Sequence, residues 1–334
     1  MNKKNVLLLC GGGGPEHEIS LRSVKFYEDC LNEIPDVKTL WIEIDKSGQW
    51  KDKTGKKYLL DGQRFLRAFE QDGDPGIKID VAIPCVHGYP GETGDLQSYF
   101  EMIGLSYFGC NSETSKLCFN KISTKLWATA LGVENTPYVF ITENNEENLK
   151  KVLDFQKLHG DLVIKASSQG SSVGCYMVPA KDSPIEAIRN AFSLSPFVLI
   201  EKRMRPRELE VSVYEYDGKL QVSYPGEIVT PTSTFYTYDE KYSHQSQSKT
   251  FVRAENVTND EVKKITEYAT KLYYGLKIRH LSRIDFFLDG GVIYLNEINT
   301  FPGSTSISMF PKMLEANGHS FTGFLKQHIH THHI

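Results

Sequence analysis

The stretch Arg283-Ile-Asp285-Phe-Phe-Leu-Asp-Gly-Gly-Val-Ile-Tyr-Leu-Asn-Glu297-Ile-Asn299 restricts this chain more than any other. Apolar runs at 286–288 and 292–295 flank Asp289-Gly290-Gly291, the pattern of a β-hairpin. Glu297 and Asn299 are two apart, so on a strand they project from one face. A carboxylate among buried strands needs a partner or a metal, whereas a surface hairpin would leave its acids solvated. The apolar runs favour the first reading, and side-chain oxygens from Asp285, Glu297 and Asn299 suit Mg²⁺ or Mn²⁺ rather than zinc or iron. The loop length matters. A regular hairpin with a two-residue loop puts Asp285 and Glu297 on opposite faces. A three-residue loop, 289–291, sets Leu288 opposite Val292, Asp285 opposite Leu295 and Arg283 opposite Glu297. The two acids then become same-face diagonal neighbours roughly 7–8 Å apart. The expectation is therefore a three-residue loop with Arg283, Asp285 and Glu297 on one face.

With 334 residues the chain exceeds one small core, and two or three domains of about 100–150 residues are expected. A net charge of −4 gives no electrostatic case for nucleic acid. No apolar run approaches the ~18 residues of a membrane span. The start, with Leu7-Leu8-Leu9-Cys10-Gly11 after two lysines, imitates a lipoprotein signal. Its apolar core at 6–10 is shorter than the ~7 residues such signals need, so it reads as a buried first strand. Cysteines 10, 30, 85, 110, 118 and 175 contain no Cys-x-x-Cys and suit buried thiols in a reducing cytoplasm. The histidines at 328, 330, 332 and 333 read as a frayed terminus.

A strand at 6–9, a glycine run at 11–14, a helix at about 18–31, and strands at 39–44 and 80–86 begin an alternating pattern. A loop at 87–94 and a helix at 95–103 continue it. Such alternation predicts a doubly wound parallel sheet for the first ~110 residues, with ligands at the strand carboxyl ends. The dinucleotide fingerprint fails, because Gly11-x-Gly13 is completed by Glu16. The Gly-Lys pairs at 55–56 and 218–219 lack the rest of a Walker loop. Beyond Asn111 the pattern predicts one helix over 116–131 carrying Lys121 and Lys125, a strand at 162–165, and a strand opened by Ser171-Ser172-Val173-Gly174. A helix over 183–193 and a strand at 197–201 follow. Strands at 208–216 and 219–224 are joined at Asp217-Gly218, a hairpin signal, and Thr258 with Glu261 forms a capping box.

Lys165 with Ser167-Ser-Gln-Gly170-Ser171-Ser172-Val-Gly174 suits a phosphate cover: small residues let backbone N–H groups approach, hydroxyls donate and the lysine supplies charge. An ordinary Ser/Gly turn is the alternative, and Lys121 by itself reads equally well as a solvated helix lysine. The apolar strand ending at Glu201 offers polar backbone for an adenine edge, and Glu208 is placed to take ribose hydroxyls.

Together with Glu16-His-Glu-Ile-Ser20-Leu, His87-Gly…Gly91-Glu-Thr-Gly94-Asp-Leu-Gln97, Thr234-Phe-Tyr236…Glu240-Lys-Tyr242 and Asn296-Glu-Ile-Asn299-Thr-Phe-Pro-Gly303, these motifs resemble the D-alanine–D-alanine ligases of the ATP-grasp group. The resemblance runs over nearly the whole chain. It implies an N-terminal Rossmann-like domain (1–110), a central ATP-grasp subdomain (111–205) and a C-terminal one (206–334). It implies that Lys121, Lys165, Ser171, Ser172, Glu201, Lys202, Met204, Glu208 and Phe235 bind ATP. Asp285, Glu297 and Asn299 would hold two Mg²⁺ or Mn²⁺. Glu16 and His87 would meet the first D-alanine, and Lys241, Ser308 and Met309 the second. Arg283 and the Gly303 N–H would steady the oxyanion, while Glu16, Ser171 and Tyr242 would form a hydrogen-bonded triad under the lid loops. A cytoplasmic homodimer serving peptidoglycan synthesis is implied, with no nucleic acid or membrane partner. Two departures stand out: Ala166 follows Lys165 where the family often has proline, and Met309 stands where many members carry leucine. Lys241-Tyr242 favours a dipeptide product over a depsipeptide.

Overall fold

The computed structural model describes residues 3–69, 71, 73–230 and 249–330. The first layer contains β1 (Lys4–Gly11), α1 (His17–Asn32), β2 (Val37–Ile44), β3 (Trp50–Lys51), β4 (Lys57–Leu60), β5 (Phe65–Ala68), β6 (Ile77–Lys78), β7 (Val81–Pro84), α2 (Asp95–Met102) and β8 (Ser106–Tyr107). Its eight strands run in the order β6-β5-β4-β3-β2-β1-β7-β8. The sheet is parallel across β2-β1-β7-β8 and antiparallel beyond β2. Along β1, Val6, Leu8 and Cys10 enter one core and Leu7 and Leu9 the other, where Leu96 and Phe100 of α2 lie. Both faces are fully buried, as a central parallel strand requires.

Thus the expected doubly wound parallel sheet is only half of this layer. Residues 45–79, unassigned from sequence, add an antiparallel meander. Three of its turns are built on an aspartate: Asp45 accepts from the N–H of Ser47 and Gln49, Asp52 from Thr54 and Lys56, and Asp61 from Gln63 and Phe65. Side-chain closure of short turns is the property that places Asp there.

The second layer contains α3 (Ser112–Phe119), α4 (Lys121–Ala130), β9 (Tyr138–Ile141), α5 (Glu146–His159), β10 (Leu162–Ala166), β11 (Cys175–Val178), α6 (Ile185–Phe192) and β12 (Val198–Lys202). Its antiparallel sheet is ordered β11-β10-β12-β9, and Val152, Ile188 and Ala191 of the two later helices pack on it. The single helix expected over 116–131 is broken. Asn120 leaves helical geometry (ψ 105°) and its side chain accepts from the N–H groups of Ile122 and Ser123. An asparagine that caps a new helix competes with continuation of the old one. The break makes Lys121 the first residue of α4.

The third layer contains β13 (Arg207–Tyr216), β14 (Lys219–Val222), β15 (Gly226–Val229), β16 (Lys249–Phe251), α7 (Asn259–Gly275), β17 (Leu281–Asp289), β18 (Val292–Asn299), α8 (Met309–Ala316) and α9 (Phe321–His330). Its path is β16-β15-β13-β17-β18, with β14 beside β13. The Asp217-Gly218 turn and the Thr258/Glu261 capping box form as expected. Helix α9 returns to the first layer, where Phe321, Phe324, Leu325 and Ile329 share a core with Val6 and Leu8. No helix among the described residues is long and apolar enough to cross a membrane.

The β17–β18 hairpin differs from expectation. Asp289 pairs with Val292, so the loop has two residues, Gly290 and Gly291, both at positive φ (58° and 81°). That is the turn whose twist matches a hairpin's own. The faces are nevertheless reconciled, because a bulge lies between Phe286↔Leu295 and Asp285↔Glu297. Asn296 is the extra residue. It shifts register by one and sets Asp285 directly opposite Glu297, with Arg283 opposite Asn299 rather than Glu297.

Candidate active site

All four side chains therefore leave the hairpin on one face. Arg283 donates from Nε to Asp285 Oδ1 (2.8 Å) and from Nη2 to Oδ2 (2.7 Å), and Asn299 Nδ2 donates to Oδ2 (3.1 Å). Glu210, on β13 opposite Asp285, is buried and lies 3.3 Å from Arg283 Nε. Burial opposes the guanidinium charge, but Asp285 and Glu210 outweigh it and hold the Arg283 pKa well above its ordinary value. Lys121 Nζ is 3.9 Å from Glu297 Oε2. Three carboxylates and an amide oxygen around two cations form a donor set suited to hard divalent ions. The sequence reading missed Glu210. The alternation Glu208-Leu-Glu210 on one strand face was its available signal.

Lys121 and Lys165 border one cavity with Ser171, Ser172, Glu208 and Glu297. The Lys121 N–H donates to Ser167 O (2.9 Å) and its Nζ to Gln169 O (2.7 Å), so the start of α4 is bonded to the serine loop. Residues 171–174 do not open a strand; β11 starts at Cys175. Ser171 and Ser172 hold left-handed backbone (φ 49° and 62°), which ends extended pairing. Beneath the loop, the buried Glu201 carboxylate is 2.6 Å from Lys165 Nζ and 2.7 Å from Lys125 Nζ. Burial alone would raise the Glu201 pKa, yet the two ammonium groups hold it well below the carboxylate range. Its side chain is thus committed to lysines, leaving backbone at the end of β12, with Lys202 exposed and Met204 half-buried, for a planar ligand edge.

A cavity of ≈ 420 Å³ adjoins this one and contains Glu16, His87, Glu92, Gly303 and Ser308. Its volume is in the range of small-molecule sites. Glu16 precedes α1 and accepts from Ser171 Oγ. A Cβ at Gly170 would come within 2.5 Å of Glu16 Oε2, so a side chain there would displace the Glu16 carboxylate. His87 is buried and shares a hydrogen bond with Ser23 (Nε2···Oγ 2.9 Å). Burial pulls its pKa below the imidazole norm against the opposing charge of Glu16. Ser308 immediately precedes α8, its hydroxyl accepting from the Thr305 N–H (3.0 Å) rather than capping the helix, with Met309 buried beside it. Phe235, Lys241 and Tyr242 lie outside the described residues.

Glu92 lies in the Gly91-Glu-Thr-Gly94 loop beside His87. It accepts from the Gly88 N–H (2.8 Å), and burial followed by the Glu16 charge pushes its pKa up to about 8. Between its ordinary 4.5 and that value, the folded chain keeps a proton that the unfolded chain has released. Stability should therefore fall as pH rises through this window, by up to about 1.4 kcal/mol per pH unit. Glu92→Gln should flatten the decline. The Tm difference, variant minus parent, is expected to grow from pH 5 to pH 8, and a constant difference would show that Glu92 is ionised throughout.

The two cavities share Lys121, Ser171, Arg283 and Glu297 as common wall. Groups suited to a polyphosphate therefore meet groups suited to a zwitterion, one acid for its ammonium and donors for its carboxylate. A third cavity, ≈ 390 Å³ beside the meander, is lined by Trp50, Tyr58, Leu60, Phe69 and Tyr99, with no acid in its wall among the described residues.

Comparison with known proteins identifies relatives of both halves of the chain. The family model described as D-ala D-ala ligase N-terminus matches residues 5–110, and that described as D-ala D-ala ligase C-terminus matches 126–330. D-alanine–D-alanine ligases of Shewanella halifaxensis and Aeromonas salmonicida are 50% and 52% identical, each over 98% of both chains. Among solved structures, D-alanyl-alanine synthetase A from Vibrio cholerae aligns with TM-score 0.93 at 47% identity over 98% of both chains. The VanG D-Ala:D-Ser ligase of Enterococcus faecalis aligns with TM-score 0.85 at 29% identity, over 98% of this chain and 99% of its own. With both halves matched in order and half the residues shared with these relatives, the chain belongs to the D-alanine–D-alanine ligase family of ATP-grasp enzymes.

Proposed function

We propose that the chain joins two D-alanines to D-alanyl-D-alanine with conversion of ATP to ADP and phosphate, supplying a peptidoglycan precursor. The observation that carries this reading is the wall shared by the lysine cavity and the Glu16/Ser308 cavity. A phosphoryl donor in one meets a carboxylate in the other. Residues 1–110, 111–205 and 206–334 act as its three units, in a cytoplasmic homodimer.

An amine cannot displace oxide from a carboxylate, so the oxygen must first become a leaving group. Glu16 holds the first D-alanine's ammonium, with His87 near its carboxylate. That carboxylate takes the terminal phosphoryl group, releasing ADP, while Lys121 and Lys165 spread the charge on the phosphates. Asp285, Glu297 and Asn299 would hold two Mg²⁺ or Mn²⁺, which when bound neutralise the transferring phosphoryl group. Ser308, Met309 and Lys241 place the second D-alanine. Its amine forms the new C–N bond and loses a proton as phosphate departs, while Arg283 and the Gly303 N–H steady the tetrahedral oxyanion. Ser171 bonded to Glu16, with Tyr242 as the third member, keeps the loops closed against water. Ser172, Glu201, Lys202, Met204, Glu208 and Phe235 complete the nucleotide site.

Phosphate release with D-alanine, ATP and Mg²⁺, and a mass spectrum showing the dipeptide, test the reading directly. No release would overturn it. D-serine as acceptor is the second reading, suggested by the 29% identical D-Ala:D-Ser ligase. With D-alanine and D-serine supplied together, the alanine dipeptide is expected to dominate, in keeping with the alanine ligases at 50–52% identity.

A further inference from the structure

Helix α4 presents two lysines one turn apart with different destinations. Lys121 faces the phosphate cavity, whereas Lys125 points beneath it and is 1% exposed. Lys125 Nζ lies 2.7 Å from Glu201 Oε1 and donates to Thr136 Oγ1 (2.9 Å), whose hydroxyl donates to the same carboxylate oxygen. The Tyr138 ring lies 5.3 Å from the ammonium. The other oxygen, Glu201 Oε2, is held by Lys165 at 2.6 Å. One buried carboxylate thus has two cations, one on each oxygen.

Only one of those cations borders the cavity. For Lys165 to serve a nucleotide, its ammonium must turn at least partly from Glu201, and a buried carboxylate left with no cation is strongly unfavourable. We propose that Lys125 is a positioning residue for nucleotide binding: it is a fixed counter-cation on Glu201 that leaves Lys165 able to exchange from Glu201 to the phosphates. The inference rests on the nucleotide reading of the Lys121/Lys165 cavity. Thr136 fixes Lys125 on the far side, and full burial leaves it no second partner in solvent, so the division of labour is built into the strand and helix positions. Without Lys125, Glu201 has Lys165 as its remaining ammonium partner in this cluster, and the pair locks.

Titration of the full-length protein with Mg-ATP tests this. Lys125→Met should weaken ATP binding about tenfold or more while turnover at saturating ATP changes less than about threefold. Adding Glu201→Gln should reverse the effect, because Lys165 no longer has a carboxylate to neutralise. The Lys125→Met/Glu201→Gln protein should bind ATP within about threefold of Glu201→Gln alone. A purely structural role for Lys125 predicts the opposite, losses that add in the double variant, and that result would overturn the proposal, as would unchanged affinity in Lys125→Met. If Lys125→Met does not fold, the comparison of Glu201→Gln with the double variant decides alone, since neither has an uncompensated carboxylate. Lys165→Met separates the two readings. Unchanged ATP affinity there would overturn the nucleotide assignment, whereas a loss there with none in Lys125→Met would overturn only the role of Lys125.

Discussion

Glu297→Gln should lower turnover by roughly 10³-fold with little change in fold stability. The carboxylate is half-buried, directly opposite Asp285, and 3.9 Å from Lys121, so in the proposed mechanism it serves both the metal donor set and the cation field. Glutamine keeps its shape and removes the charge. The loss should appear in kcat at saturating ATP and D-alanine, and raising Mg²⁺ or Mn²⁺ should recover only a small part of it. A surface acid such as Glu267, paired with Lys264 and Lys271 on the exposed face of α7, serves as the control. Its Gln variant should keep nearly full activity. Turnover of Glu297→Gln within tenfold of the parent would remove Glu297 from the phosphoryl-transfer site.

The second large effect is expected from Arg283→Met. The guanidinium bridges Asp285 and Glu210, two carboxylates on neighbouring buried strands. Removing it leaves both without that partner, a change of about 3–5 kcal/mol for a buried pair. Activity should be abolished as well, since the same side chain is assigned to the oxyanion. Divalent ions distinguish the two losses. In chelator the variant should melt well below the parent, and Mg²⁺ or Mn²⁺ should raise its Tm more than the parent's, because a cation at the oxygen donors replaces the missing charge. An equal Tm gain in both proteins would show that the ions do not bind at Asp285.

Much of the proposed site was legible in the chain because its chemistry is locally written. Lys121, Lys165, the serine loop and the Asp285/Glu297/Asn299 set are residue types whose spacing already limits their use. What escaped was of two kinds. Glu210, Glu92 and Lys125 act through neighbours far away in sequence, and each looks ordinary alone: an acid on a strand, an acid in a loop, a lysine on a helix. Only burial beside Arg283, Glu16 and Glu201 gives them meaning. The other misses were local competitions decided by one side chain, as at Asn120, where capping ended the helix expected to run through it. The aspartate-built meander over 45–79 belongs with these, its turn signals being present but unread.

The hairpin shows where the division falls. Sequence by itself determined that two apolar strands carry three oxygen donors and an arginine, because alternation along a strand is a local property. It could not determine their register. Strand β17 is bound between β13 and β18, with Phe286 and Leu288 fixed in the core. The two-glycine turn sets one pairing at the tip, while the site demands another nearer the base. The bulge at Asn296 accommodates both, and it exists only once β17 and β18 are paired, since an unpaired strand has no register to break.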